Sequence, residues 1–269
     1  MDTTTGTVTA DDGTELFTRS WATDDAKATV LILHGAGEHC GRWDHVGRFL
    51  TERGYAVTAF DIRGHGESAG PRFHVDSFDQ YVDDVATVHD TVDDTVPWIL
   101  YGHSMGGLIA TLYLTSDRPQ PDAAVLSSPA LDDNLPGYLH LAGELLGRVV
   151  PRLAIENSFT AGQLSRDPAI GEAYFADPLV ETKATTGLGR AGFAAQREAN
   201  SRLDKIRVPT LVFHGAEDSL VPPSASAPLA GLVGVERKVY PGLRHETHNE
   251  PEGNQVLADL ADWIDATLA

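Results

Sequence analysis

A serine hydroxyl is a weak nucleophile at neutral pH and needs a base to take its proton. An imidazole suits that task because its pKa lies near working pH, and a carboxylate behind it fixes the useful tautomer and stabilises the cation. The chain offers the three residue types in the order serine, acid, histidine. Ser104 sits in Gly102-His103-Ser104-Met105-Gly106, Asp218 follows, and His245 comes after it. Before Ser104 runs Trp98-Ile99-Leu100-Tyr101, which reads as a strand; after it runs Gly107-Leu108-Ile109-Ala110, which reads as a buried helix. Strand, G-x-S-x-G and helix together are the context of a nucleophile elbow, a turn too tight for side chains two residues either side of the serine. Gly102 and Gly106 meet that need, and Gly107 lets the helix pack closely.

Glu217 and Glu246 compete with Asp218 for the acid. Glu217, one residue earlier, is expected to point away, and Asp218 is preferred. His245 stands out among eleven histidines because it follows the last strand-like run. His103, inside the turn, and His34, at a strand end, are expected to shape structure. The oxyanion that attack would create needs two donors. One is the amide of Met105, next after the nucleophile. The other is the amide of Ala36 in the small-residue loop His34-Gly35-Ala36-Gly37. A metal reading of His245-Glu246-Thr247-His248 fails on spacing. Two residues separate the histidines where the helical zinc signature has three, so they do not share a face. No metal and no cofactor is expected.

These residues require a scaffold that brings them together. Residues 3–9 and 16–21 read as a hairpin about Asp12-Gly13. Residues 29–33 form a continuous apolar run, typical of a strand covered on both faces. Helical spacing marks residues 43–53 and a stripe from Phe78 to Val92, with Asp76 and Ser77 as candidate caps. Further strands are expected at 55–60, 98–101, 123–127, 210–214 and 237–240, and a closing helix at 256–268. This alternation predicts an α/β fold with a mostly parallel sheet flanked by helices. The rhythm breaks between residues 129 and 208, which read as an inserted helical cap. Residues 1–128 and 209–269 then form the core domain. Leu139, Ala142, Leu145, Leu146 and Val149 define the apolar side of a cap helix. Ligands bind such sheets beyond the carboxyl ends of the strands. His34, Asp61, Ser104, Asp218 and His245 each follow a strand and therefore gather at that edge.

The 269 residues carry 39 acidic against 20 basic side chains, a formal charge of −19. That excludes a basic nucleic-acid footprint and disfavours anionic membrane surfaces. Aspartate pairs such as Asp11-Asp12 and Asp132-Asp133 read as a solvated surface, and so acidic a surface is expected to suit high salt. Cys40 is the only cysteine, so no intrachain disulfide forms. No signal peptide or membrane-spanning run is visible, and the expected compartment is the cytoplasm.

Four stretches carry a family resemblance. They are His34-Gly35-Ala36-Gly37-Glu38-His39 with Gly41-Arg42, Asp61-Ile62-Arg63-Gly64-His65-Gly66-Glu67-Ser68, Gly102 through Gly107, and Gly242-Leu243-Arg244-His245-Glu246-Thr247-His248-Asn249-Glu250. Asp177-Pro178-Leu179 adds a cap motif. With these the chain resembles the α/β-hydrolase superfamily, within it the monoacylglycerol lipase and lysophospholipase group. The resemblance implies hydrolysis of a single acyl ester on glycerol through an acyl-enzyme. It also implies glycerol contacts from Glu38, Arg42 and His248. A loop-fixing ion pair between Glu38 and Arg42 is an equal alternative. The cap helix at 135–150 would form the acyl tunnel, and its outer face would touch lipid only transiently. The expected partner is thus a small lipid ester. Alternatives are a lysophospholipase, a short-chain carboxylesterase, a prolyl-type aminopeptidase with an acidic pocket for the substrate amine, and a non-catalytic binding protein. A haloalkane dehalogenase would carry aspartate in place of Ser104.

Overall fold

The structure, a computed structural model, describes residues 3–93, 95–133, 135–156 and 159–269. β1 (Thr3–Thr9) and β2 (Glu15–Trp21) pair antiparallel about Gly13, whose φ of 85° the turn requires. β3 (Ala28–Leu33) is buried at every position. Next comes α1 (Asp44–Glu52), which starts one residue later than its apolar spacing suggests because residues 40–43 tighten into a 3-10 turn. β4 (Tyr55–Phe60) precedes α2 (Phe78–His89), where the Ser77 hydroxyl accepts from the Asp79 amide as the N-cap. The stripe's last residue, Val92, lies beyond the helix end.

β5 (Trp98–His103), α3 (Met105–Leu114) and β6 (Ala123–Ser127) follow. The inserted segment then holds α4 (Gly137–Val149), β7 (Ala154–Glu156), α5 (Ala161–Leu164), α6 (Pro168–Ala176), β8 (Lys183–Thr185) and α7 (Thr186–Asn200). The chain returns to the sheet with β9 (Thr210–Gly215) and β10 (Val235–Tyr240) and closes with α8 (Gly253–Leu268).

Eight strands make one sheet in the order β1-β2-β4-β3-β5-β6-β9-β10. Pairs among β4, β3, β5, β6, β9 and β10 are all parallel. The pleat sorts the central strands by alternation. Leu31 and Leu33 join one core with Leu100, Val212 and helices α2, α3 and α7. Val30 and Ile32 join the other with Tyr101, Phe213 and helices α1 and α8. This two-sided covering explains the unbroken apolar runs and bears out the expected α/β class.

Helix α4 of the inserted segment differs from its sequence reading in what it buries. It packs on α7 through glycines. A Cβ at Gly143 would meet the Phe193 ring at 2.8 Å, and one at Gly147 would meet the Thr186 carbonyl oxygen at 2.5 Å. Close backbone approach on that side turns the leucines outward. Tyr138, Leu141, Leu145 and Val149 are 61–72% exposed. Spacing located the helix but not its buried face, because small residues carry the contact.

Candidate active site

The turn after β5 holds Ser104 at φ 54° and ψ −115°, a left-handed conformation that a non-glycine residue adopts only when its surroundings enforce it. Both neighbours enforce it here. The Ser104 amide donates to the Ser127 carbonyl at 2.9 Å, and the Ser104 carbonyl accepts from the Ala130 amide at 3.0 Å. Glycine is required on either side: a Cβ at Gly102 would lie 2.3 Å from the Gly106 carbonyl oxygen, and one at Gly106 would lie 2.3 Å from that of Leu33. Gly107 passes over Pro129 rather than over a strand. Met105 is the first residue of α3, so its amide has no partner within the helix.

Asp218 follows β9, and its carboxylate is fully engaged. Oδ1 accepts from the amides of Leu220 at 2.9 Å and Val221 at 3.0 Å. Oδ2 lies 2.7 Å from His245 Nδ1 and 3.2 Å from His214 Nε2. Glu217 is exposed and points away, as expected. With Nδ1–H given to Asp218, the lone pair of His245 sits on Nε2. The His245 carbonyl accepts from the Ser128 hydroxyl at 3.0 Å, which ties its loop to the end of β6.

Burial pushes the His245 imidazolium pKa down, but the Asp218 charge and hydrogen bond outweigh it, helped by Glu246 and Glu38. The net shift is upward from 6.5. Burial likewise raises Asp218, and the His245 charge with the hydrogen bonds of His214 and His245 more than reverses it, so the carboxyl stays ionised. His103 differs: burial, reinforced by His245, drops its pKa to about 3, and Nδ1 rests 3.1 Å from the Ser127 hydroxyl.

Ser104, His245, Ala36, Glu38 and Glu246 all line one cavity of about 430 Å³. Its apolar walls come from Phe73, Phe159, Leu164, Tyr174, Leu188 and Val221, most of them in the inserted segment. No residue of α4 lines it, so the expected tunnel role of 135–150 is corrected: the glycine contacts with α7 hold that helix outside the wall. These wall residues follow no periodic or motif signal in the chain. Phe73 is the most unusual, a bulky residue at φ 46° pinned by Gly64 and by the Thr185 hydroxyl. Asp61 gathers at the same edge and ties its own loop to the loop after β3, accepting from the amides of Glu67 and Cys40, each at 2.7 Å. His34 Nε2 accepts from the Ile62 amide at 2.9 Å.

Of Glu38, Arg42 and His248, only Glu38 borders the cavity. Its Oε1 accepts from the Gly35 amide at 2.6 Å, and its Oε2 from Arg42 at 2.6 Å. Arg42 also binds Glu246 through two bonds of 2.8 Å and lies over the Tyr174 ring. Burial and the neighbouring Glu246 charge push Glu38 up despite Arg42, while Arg42 holds Glu246 down against burial. His248 is buried, stacked on Trp43 at 4.3 Å. The loop is also clasped from the inserted segment: the Glu181 amide donates to the Gly37 carbonyl at 2.8 Å, and His39 Nε2 meets Asp177 at 3.0 Å.

A sequence model of the family described as Serine aminopeptidase, S33, matches residues 24–252. The chain belongs to this family. It is 39% identical over 254 residues to the monoacylglycerol lipase of Mycolicibacterium smegmatis, covering 91% of this chain and 90% of that one. It is 33% identical over 272 residues to the monoglyceride lipase of Homo sapiens, covering 96% and 89%. The solved monoacylglycerol lipase of Paleococcus ferrophilus superposes with a TM-score of 0.83 over 99% of this chain and 100% of that one, at 27% identity. The hydrolase therefore has the α/β-hydrolase fold and is a carboxylic ester hydrolase of the monoacylglycerol lipase-like group, as the four motif stretches imply.

Proposed function

We propose that this hydrolase cleaves the acyl ester of monoacylglycerols with Ser104 as nucleophile, His245 as base and Asp218 as the group that orients it. The observation that carries this is the 2.7 Å bond from His245 Nδ1 to a carboxylate fixed by two amides, in a cavity shared with Ser104. Ser104 Oγ attacks the ester carbonyl carbon as its proton passes to His245 Nε2. The amides of Ala36 and Met105 take the charge that builds on the carbonyl oxygen. His245 then protonates the departing glycerol oxygen, leaving an acyl-Ser104. Water, deprotonated by His245, releases the fatty acid and restores the serine.

Glu38 borders the cavity and is suited to accept from a glycerol hydroxyl. Arg42 supports it from behind the wall, so the ion-pair reading and the head-group reading join in one residue, while His248 stacks on Trp43 away from it. Residues 129–208 act as the cap of a core made from 1–128 and 209–269. The exposed apolar side of α4 meets acyl chains at lipid surfaces transiently, since the −19 charge opposes anionic head groups. No helix among the described residues is long and apolar enough to cross a membrane. A cytoplasmic site of action suits a fold whose lone cysteine is unpaired.

A fluorophosphonate probe should label the wild type at Ser104, and Ser104→Ala should abolish both labelling and hydrolysis of monoacylglycerol. Labelling that survives in the folded variant would remove Ser104 from the mechanism. Faster turnover of aminoacyl amides than of monoacylglycerols would overturn the substrate class.

A further inference from the structure

We propose that Gly189 sets how long an acyl chain the cavity accepts. This rests on the reading of that cavity as the acyl site. Gly189 lies in α7 beside Leu188, and both line the cavity with Ala184 and Phe73. A glycine inside a helix weakens it, so its presence there needs a reason. Packing supplies one for Gly187, where a Cβ would come 2.6 Å from the His74 ring and 2.8 Å from the Pro151 carbonyl oxygen. At Gly189 a Cβ meets nothing within 4 Å. Its backbone is not left-handed either, since its φ is outside the range that favours glycine. Neither crowding nor backbone geometry calls for glycine at this position.

What the missing side chain leaves is bare helix on the cavity wall. The neighbouring wall is bulky, with Phe73, Leu188 and Tyr174 projecting from separate elements. Gly189 is itself exposed, so a side chain grown there enters open space at the solvent-facing rim of the cavity, where it narrows the room left for a long acyl chain. Because the position is helical and uncrowded, larger residues are compatible with the fold. Ser104 and His245 occupy a different part of the lining, on the sheet edge, so the change acts on the chain beyond the ester. Gly189 is thus a specificity-determining position for the ester hydrolysis.

The test compares Gly189→Ala, Gly189→Met and Gly189→Leu with the parent on butyryl, lauroyl and oleoyl glycerol. The ratio of kcat/KM for oleoyl over butyryl glycerol is expected to fall stepwise from Ala to Leu. It should reach about tenfold below the parent, the scale of a few methylenes denied an apolar pocket. Gly189→Ala should raise Tm by roughly 2 °C, as removal of an unneeded helical glycine does. An oleoyl-to-butyryl ratio within about twofold of the parent in the active Met and Leu variants overturns the proposal, as does a parallel loss on both substrates. If the Leu variant does not fold, the Ala and Met variants decide. Failure of the site reading is separate: it would appear as residual hydrolysis in Ser104→Ala, not as an unchanged ratio.

Discussion

Asp218 Oδ1 is held by the amides of Leu220 and Val221, leaving Oδ2 to the two imidazoles. In Asp218→Asn the amides would keep the oxygen, so the NH2 group would face His245 Nδ1. That forces the His245 proton onto Nε2, where it cannot accept from Ser104. A loss of about four orders of magnitude in kcat is expected, with KM little changed; a loss below tenfold would reject the assignment. The acid side of the pH profile carries a second signature. His245 must be neutral to act, and its pKa lies above 6.5, so kcat/KM should fall about tenfold per pH unit below that value. The Asp218 charge is the main upward influence, so any residual activity in Asp218→Asn should titrate at lower pH.

At the scale of elements, the elbow is the least tolerant part. Gly106→Ala drives a Cβ against the Leu33 carbonyl, and backbone has no rotamer with which to yield. A loss of about 3 kcal/mol is expected in a denaturant melt. α4 is at the other extreme. Replacing exposed Leu141 and Leu145 with glutamate should lower the rate on aggregated monoacylglycerol relative to a dissolved short-chain ester. An unchanged ratio would remove α4 from lipid contact. The contrast also explains what was legible in the sequence. The sheet could be read because every central strand is buried on both faces, and the elbow because its glycines answer one steric need. The proposed order Ser104, Asp218, His245 followed from chemistry. The cap resisted because its contacts are made by Gly143 and Gly147, residues with no apolar pattern, and because the cavity wall gathers single residues from separate short elements. His214, the second imidazole on Asp218, lies inside β9, where a strand pattern hides it.

At the scale of the molecule, two electrostatic features set stability in opposite directions. The −19 charge repels itself, so screening should help: Tm is expected to rise from low to molar KCl, and equal values would refute the salt-suited surface. Acid should do the reverse. His34, His65 and His103 are buried neutral with pKa values of about 3, against 6.5 when unfolded. Their contribution is intact above pH 6.5 and is lost as pH falls, by up to about 1.4 kcal/mol per unit for each imidazole. His245 is raised, so it opposes this trend weakly, stabilising at low pH and losing that contribution as pH rises through its folded value. Urea midpoints should therefore drop steadily below pH 6.5.

Cys40 is buried beneath the loop that carries Ala36, and its surroundings push the thiol far up from its ordinary pKa, so it cannot react while the domain is closed. The chain consequently carries its own clock for breathing motions. The pace at which an aromatic disulfide reagent tags this single sulfur counts excursions of the region nearest the chemistry, without any introduced label.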